Sequence, residues 1–182
     1  MIPDVADEEI PSGKNERASQ ADGATSASSA PAVQAPEDQL FTVSAVWSGD
    51  GGGSGHVKLA DGTFDVPIAG AKRLGGAGGA ANPEELLLAA VAACFVNTWA
   101  IFLRKLQVAY AEPALRVTGT LSGDPAGGFR MSGAVIHARV PGTLLAAEKA
   151  KVEKTLALAE KYCIISKVAR ATMPVSVEIE AV

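Results

Sequence analysis

Cysteine and histidine are scarce in this sequence, and their spacing argues against two common uses of them. The 182 residues contain two cysteines and two histidines, namely His56, Cys94, His137 and Cys163. Zinc ligands usually come in close pairs such as C-x-x-C or H-x-x-x-H, and neither pair is present. A thioredoxin-like motif is excluded by the same absence. We therefore predict no metal site and no cofactor, and expect reduced thiols or a redox pair rather than a structural disulfide.

The sequence also lacks an excess of basic residues. It has 16 Lys and Arg against 20 Asp and Glu, a net charge of −4. No basic stripe is available to meet phosphates, so a nucleic-acid partner is not expected. The first residues carry neither a basic stretch nor an apolar core, so they do not form a secretory signal. These observations favour a cytoplasmic protein.

Large apolar residues are almost absent from residues 1–38. This segment is rich in Ala, Ser, Pro, Asp, Glu and Gln. Such a composition cannot bury enough apolar surface to offset the entropy lost on ordering. We predict a disordered, low-complexity tail over residues 1–38 and one domain over residues 39–182.

The order of predicted elements in that domain indicates an α+β fold. Strands are expected at residues 40–47, 56–59, 63–68, 114–122, 128–140 and 175–180. Helices are expected at residues 83–105, 144–161 and 164–171, the second capped by Thr143 with Leu145, Ala146, Val152, Leu156 and Ala159 facing inward. In the first strand, alternation predicts a half-buried face that includes Phe41, Val43 and Trp47. Strand runs separated by one central helix and a helix pair favour an antiparallel sheet wrapped around that helix.

The central helix has clear start signals and an unusual apolar surface. Asn82 is a good N-cap, Pro83 suits the first helical position, and Glu84 and Glu85 favour the positive end of the dipole. Between residues 86 and 103 only two side chains are clearly polar, so the helix is expected to be buried on nearly every side. Its length would suffice for a membrane span. The terminal acids, the polar interruption and the many alanines favour burial by its own sheet and a partner subunit, with no membrane.

A glycine-rich loop at residues 75–81 precedes this helix and loosely fits the dinucleotide pattern G-x-G-x-x-A. It does not follow directly on a strand, and no acid lies near residues 100–105 to bind a ribose hydroxyl. A hinge leading into the helix is the favoured interpretation.

The residue types leave two interpretations of the cysteines open. Cys94 and Cys163 could be small buried hydrophobes, as free cysteines often are. Alternatively they form a reactive pair, which would require a cation or hydrogen-bond donor to lower the pKa of Cys94. Cys163 precedes a short helix and is expected to be partly exposed there.

Three motifs resemble the OsmC/Ohr family of thiol peroxidases. They are Asn82-Pro83-Glu84-Glu85-Leu86, Ala92-Ala93-Cys94-Phe95, and Tyr162-Cys163-Ile164-Ile165-Ser166 before a closing strand. The resemblance implies an intertwined homodimer that reduces organic hydroperoxides. By the same resemblance Cys94 is the peroxidatic thiol, Cys163 the resolving thiol and Glu84 the carboxylate of the site. The disulfide would be recycled by a dithiol such as dihydrolipoamide.

The sequence departs from the family pattern at two places. Ohr-type members carry an arginine in the loop after the first strand, but residues 48–55 contain none. OsmC-type members place it just before the glycine loop, where this chain has Arg73, with Lys72 as the alternative. The family commonly has proline after the resolving cysteine, whereas this chain has Ile164.

Helix geometry gives a separate reason to expect a dimer. Ten residues separate Glu84 from Cys94, or about 15 Å along a helix. If the site needs both side chains, the carboxylate must come from a second chain. Antiparallel packing of two such helices about a two-fold axis near Ala89 would bring them together. A redox-sensing or apolar-ligand-binding dimer without turnover remains the alternative to a peroxidase.

Overall fold

The computed structural model describes residues 38–182 and confirms the α+β class. Its strands are β1 (Val43–Ser48), β2 (Ser54–Leu59), β3 (Asp65–Ala69), β4 (Ala114–Gly123), β5 (Phe129–Val140) and β6 (Val175–Ala181). Its helices are α1 (Pro83–Lys105), α2 (Gly142–Tyr162) and α3 (Ile164–Arg170), with a short 3-10 turn at Lys72–Leu74 that the sequence did not predict. The predicted tail, except for Asp38, lies outside the described residues.

The strands form two three-stranded sheets rather than one. β1, β2 and β3 pair antiparallel in chain order, and β4 pairs antiparallel with β5. β5 and β6, however, run parallel. The parallel pair arises because α2 and α3 form a crossover that returns the chain to the middle of β5, where Val175 pairs with Ala134.

The core lies between one stripe of α1, the inner face of β5 and the helix α2. The stripe consists of residues four apart, namely Val91, Phe95, Trp99 and Leu103, and all four are buried. This spacing keeps side chains on one helix face. Trp99 Nε1 donates a hydrogen bond of 2.9 Å to Thr155 Oγ1, which donates in turn to the carbonyl of Val152. The buried polar atoms that hold α1 against α2 are thereby satisfied.

Outside this stripe α1 is exposed in the single chain, whereas the prediction assigned its burial to its own sheet and a partner subunit together. Leu87, Ala89, Ala90 and Ala93 are exposed in the single chain. The helix is long and apolar enough to cross a membrane by length and composition alone, a property it shares with core helices of soluble proteins. The apolar face outside its buried stripe is therefore uncovered within one chain.

The first sheet also differs from the prediction. Every residue of β1 is exposed, so the predicted half-buried face is not covered in the single chain. Phe41, Val43 and Trp47 are exposed by 93%, 62% and 43% of their surface. An alternating pattern indicates which face of a strand is apolar, but it does not indicate whether the same chain or a second chain packs against that face.

Two details of α2 were predicted wrongly. The helix begins at Gly142 directly after Pro141, so Thr143 lies inside the first turn and is not the cap. Ala146 is exposed, whereas Val152, Leu156 and Ala159 are buried as expected. The backbone leaves the helical region at Glu148, with φ −136°. Side chains before this residue therefore do not continue the buried face of the helix that follows it.

Candidate active site

The start of α1 is fixed by a complete capping box. The Asn82 side chain accepts a hydrogen bond of 2.8 Å from the Glu85 N–H, and the Glu85 carboxylate accepts one of 3.2 Å from the Asn82 N–H. Pro83 occupies the first turn, as predicted. The preceding loop packs tightly, because a Cβ on Gly76 would lie 2.2 Å from the carbonyl carbon of Gly70. The glycines thus allow two backbone segments to touch just before the helix.

The fold brings the two cysteine sulfurs together. Cys94 lies in the third turn of α1 and is partly exposed, whereas Cys163 lies at the break between α2 and α3. The Cys163 Sγ–H donates to Cys94 Sγ across 3.0 Å. Residues 69 positions apart in the chain are therefore in direct contact, and both are free thiols.

Cys163 is more enclosed than the sequence predicted. It is fully buried rather than partly exposed. Its sulfur takes the N-cap position of α3, where it accepts hydrogen bonds from the Ser166 N–H at 3.4 Å and the Ser166 hydroxyl at 3.1 Å. An N-cap side chain accepts hydrogen bonds from the first turn of its helix, and these bonds keep the Cys163 side chain in its buried position.

The environments of the two sulfurs shift their pKa values in opposite directions. Burial raises the pKa of Cys94, but hydrogen bonds from the Cys163 thiol, from the backbone N–H groups of Ile165 and Ile164 and from the Thr98 hydroxyl outweigh it, so the pKa is lowered. Burial raises the pKa of Cys163, and donation to Cys94 raises it further. Cys94 is thus the sulfur that ionises first, and only the thiolate form is a strong nucleophile.

Glu84 and Arg73 are not brought to the sulfurs within one chain. Glu84 lies in the first turn of α1, and Arg73 lies on the 3-10 turn. Within residues 38–182 neither side chain forms an ion pair. Arg73 lines a cavity of about 300 Å³ with the glycine loop, Asn82 and Glu85. In the same part of the chain no three His, Cys, Asp or Glu side chains are grouped to hold a metal ion.

Sequence reasoning missed several groups that contact the sulfurs. Thr98 was noted only as a polar interruption of α1, yet its hydroxyl lies close enough to Cys94 to affect the thiol pKa, and it donates its proton to the Cys94 carbonyl at 2.8 Å. The backbone N–H of Ile164 helps to lower the pKa of Cys94, and a proline at this position would have no N–H. Ser166 could have been found from its place three residues after Cys163, the spacing at which an N-cap side chain meets the helix backbone.

With this geometry in place, the sequence can be compared with known proteins. Residues 76–178 match the family described as OsmC-like protein, a span that contains Glu84, Cys94 and Cys163 but not Arg73. The chain belongs to the OsmC/Ohr family. An organic hydroperoxide resistance protein-like 1 of Staphylococcus epidermidis is 32% identical over 132 residues, covering 72% of this chain and 91% of that protein.

Two further OsmC/Ohr relatives extend the similarity. The organic hydroperoxide resistance protein of Xanthomonas axonopodis pv. citri is 30% identical over 154 residues, covering 79% of this chain and 97% of that one. The crystal structure of an organic hydroperoxide resistance protein OsmC from Legionella pneumophila aligns with a TM-score of 0.65 and 28% identity. That alignment covers 79% of this chain and 99% of the Legionella chain. The predicted family and fold are thus confirmed.

Proposed function

We propose that this protein is a cytoplasmic thiol peroxidase that reduces organic hydroperoxides to alcohols. The observation that carries the proposal is the 3.0 Å contact between Cys94 Sγ and Cys163 Sγ, with the pKa lowered at the more accessible sulfur. Family membership and the names of the relatives support the same chemistry. Two sulfurs placed in this way can pass from thiols to a disulfide and back without a cofactor.

The first step is attack by the Cys94 thiolate on the terminal oxygen of the hydroperoxide. A sulfur–oxygen bond forms, the oxygen–oxygen bond breaks and the alkoxide leaves, taking a proton to become the alcohol. Cys94 is left as a sulfenic acid. Because the hydrogen bonds to Cys94 favour its thiolate, they raise the fraction of protein that can react near neutral pH.

The second step joins the two sulfurs. Cys163 attacks the Cys94 sulfenic acid, the Sγ–Sγ bond forms and the oxygen leaves as water with the Cys163 proton. An external dithiol then attacks the disulfide and restores both thiols by exchange. We propose dihydrolipoamide as that dithiol, following the family resemblance.

Apolar side chains around the sulfurs favour organic substrates. Leu87 lies two turns before Cys94 on α1 and is 39% exposed, and Ile164 follows Cys163 and is 66% exposed. Burying an alkyl group against such surface contributes about 25 cal/mol per Å². Cumene hydroperoxide is therefore expected to react faster than hydrogen peroxide, and comparable second-order rate constants for the two would refute this preference.

The proposed enzyme works as a homodimer in which each site is completed by the second chain. Within one α1 helix, Glu84 and Cys94 are about 15 Å apart along the axis. Antiparallel packing of two α1 helices would place Glu84 of one chain beside Cys94 of the other, with Arg73 supplying the cation for the thiolate and the leaving oxyanion. The exposed apolar surfaces of α1 and β1 support a second chain as their cover. A monomer in sedimentation would count heavily against this arrangement.

The test is a steady-state assay of cumene hydroperoxide consumption with dihydrolipoamide or thioredoxin as the electron donor. Wild type is expected to turn over with dihydrolipoamide, and Cys94→Ser to lose turnover. Ser132→Ala is a matched control, since it removes a hydroxyl that bonds Ser122 between β4 and β5. A single stoichiometric oxidation without turnover would indicate a redox sensor. Apolar ligand binding that survives in Cys94→Ser, without peroxide consumption, would indicate a carrier.

A further inference from the structure

Ser166 is a buried polar residue whose hydroxyl is directed at the resolving sulfur. Its side chain is fully buried, and its hydroxyl lies 3.1 Å from Cys163 Sγ. Within residues 38–182, that sulfur is the one hydrogen-bond partner of the hydroxyl. A buried hydroxyl without a partner is costly, so this sulfur keeps Ser166 satisfied in the reduced protein.

The hydroxyl is the first of two successive donors in a hydrogen-bond chain that ends at Cys94. The Ser166 hydroxyl donates to Cys163 Sγ, and the Cys163 Sγ–H donates to Cys94 Sγ at 3.0 Å. Successive donors polarise one another, so a bond to Cys163 strengthens the bond that Cys163 gives. Burial and donation to Cys94 outweigh the Ser166 hydrogen bonds and raise the pKa of Cys163, so Cys94 is the sulfur that ionises first.

The charge moves to Cys163 when the disulfide forms or reopens. As Cys163 attacks the sulfenic acid, its proton leaves with the departing oxygen as water, and negative charge develops on its sulfur. During reduction, an external thiolate attacks Cys94 Sγ, because Cys163 is fully buried and Cys94 is not. A mixed disulfide forms at Cys94, the Sγ–Sγ bond breaks, and Cys163 leaves as a thiolate. The second thiol of the dithiol then attacks the mixed disulfide and releases Cys94.

We propose that Ser166 is a positioning residue for the resolving thiol, which orients the Cys163 sulfur and stabilises the charge on it whenever the disulfide closes or opens. The proposal rests on the proposed function for its role in turnover. It goes beyond that function because it assigns Ser166 a role in the steps at Cys163, in which the disulfide closes and opens. Attack on the peroxide by Cys94 does not involve this hydroxyl. Cys163 alone, fully buried, would be a poor leaving group.

The decisive experiment separates thiol exchange from peroxide chemistry. The disulfide is formed with diamide, and its reopening by dithiothreitol is followed by thiol release as a function of pH. Ser166→Ala is expected to reopen about tenfold more slowly than wild type at every pH, because a hydrogen bond to the departing Cys163 thiolate is lost, while the pH dependence follows ionisation of dithiothreitol in both proteins. Ser132→Ala, which loses a serine–serine hydrogen bond elsewhere, is expected to behave as wild type.

A second measurement distinguishes positioning from a general structural effect. Sulfenic acid formation at Cys94 with cumene hydroperoxide, trapped by dimedone in a Cys163→Ser background, is expected to change by less than about twofold when Ser166→Ala is added. Reopening at the wild-type rate, or equal slowing of both half-reactions, would overturn the proposal. The diamide assay uses no peroxide, so it reports on Ser166 even if wild type shows no peroxidase activity, in which case only the proposed function fails.

Discussion

At the scale of single residues, the two cysteines differ because one sulfur gives a hydrogen bond and the other receives it. Cys163 is buried and donates, which keeps its proton bound and its pKa raised. Cys94 is partly exposed and receives, so its pKa is lowered in spite of the opposing effect of burial. The family resemblance predicts Cys94 as the reactive thiol. The donors that lower its pKa lie on α1 and around the start of α3, and could be identified only in three dimensions.

Removing the Cys163 donor is expected to raise the pKa of Cys94. Cys163→Ala leaves the Cys94 thiolate without this hydrogen bond, so less thiolate is present at any pH below its pKa. Iodoacetamide alkylation of Cys94 should then slow by about tenfold near neutral pH, the factor expected for loss of one charge-assisted hydrogen bond. Cys163→Ser keeps a hydroxyl donor and should retain most of the rate. Equal alkylation profiles for wild type and Cys163→Ala would contradict this explanation.

At the scale of secondary structure elements, α1 was predicted well because its start is encoded locally. The structure confirms Asn82 as the cap and Pro83 in the first turn, and adds a reciprocal bond from the Asn82 N–H to the Glu85 carboxylate that was not predicted. The parallel pairing of β5 with β6 was not predicted, because strand direction depends on how α2 and α3 return the chain. The prediction of a cap at Thr143 was wrong because Pro141 takes the N-cap position two residues earlier, and the helix begins at Gly142.

The capping box is expected to stabilise the whole domain. Asn82→Ala removes the side chain that accepts from the Glu85 N–H and should lower the free energy of unfolding by about 1 kcal/mol. Asn97→Ala, on the exposed face of the same helix, is the control and should change it by less than about 0.5 kcal/mol. Urea unfolding gives the free energy of unfolding of each variant. An equal decrease for Asn82→Ala and Asn97→Ala would contradict a stabilising role of the cap.

At the scale of the whole molecule, the contacts within one chain cover only part of its apolar surface. The buried stripe of α1 faces α2 and β5, while Leu87, Ala89 and every residue of β1 are exposed. The sequence pattern therefore indicates which surfaces are expected to be buried, and their burial by a partner subunit stays a prediction. In the proposed dimer, Glu84 and Arg73 of a second chain would reach Cys94.

A charge at the proposed two-fold axis is expected to separate the subunits. Ala89→Arg would place a guanidinium between the two α1 helices, where the alanines permit close approach, and should convert a dimer to a monomer in sedimentation velocity. Peroxidase activity should fall with it, by at least about tenfold, since Glu84 and Arg73 would no longer reach the partner's thiol. Ala147→Arg, exposed on α2, should leave both properties unchanged. A wild-type chain that sediments as a monomer would remove the basis of this prediction.

The central claim, that Cys94 and Cys163 of one chain form a catalytic disulfide, can be tested by peptide mapping after a single oxidation. Reduced protein is mixed with one equivalent of cumene hydroperoxide, alkylated and digested without reductant. The account predicts loss of both thiols and one cross-linked peptide joining Cys94 to Cys163 within the same chain. Two freely alkylated cysteines with the peroxide unconsumed, or a cross-link between different chains, would contradict it.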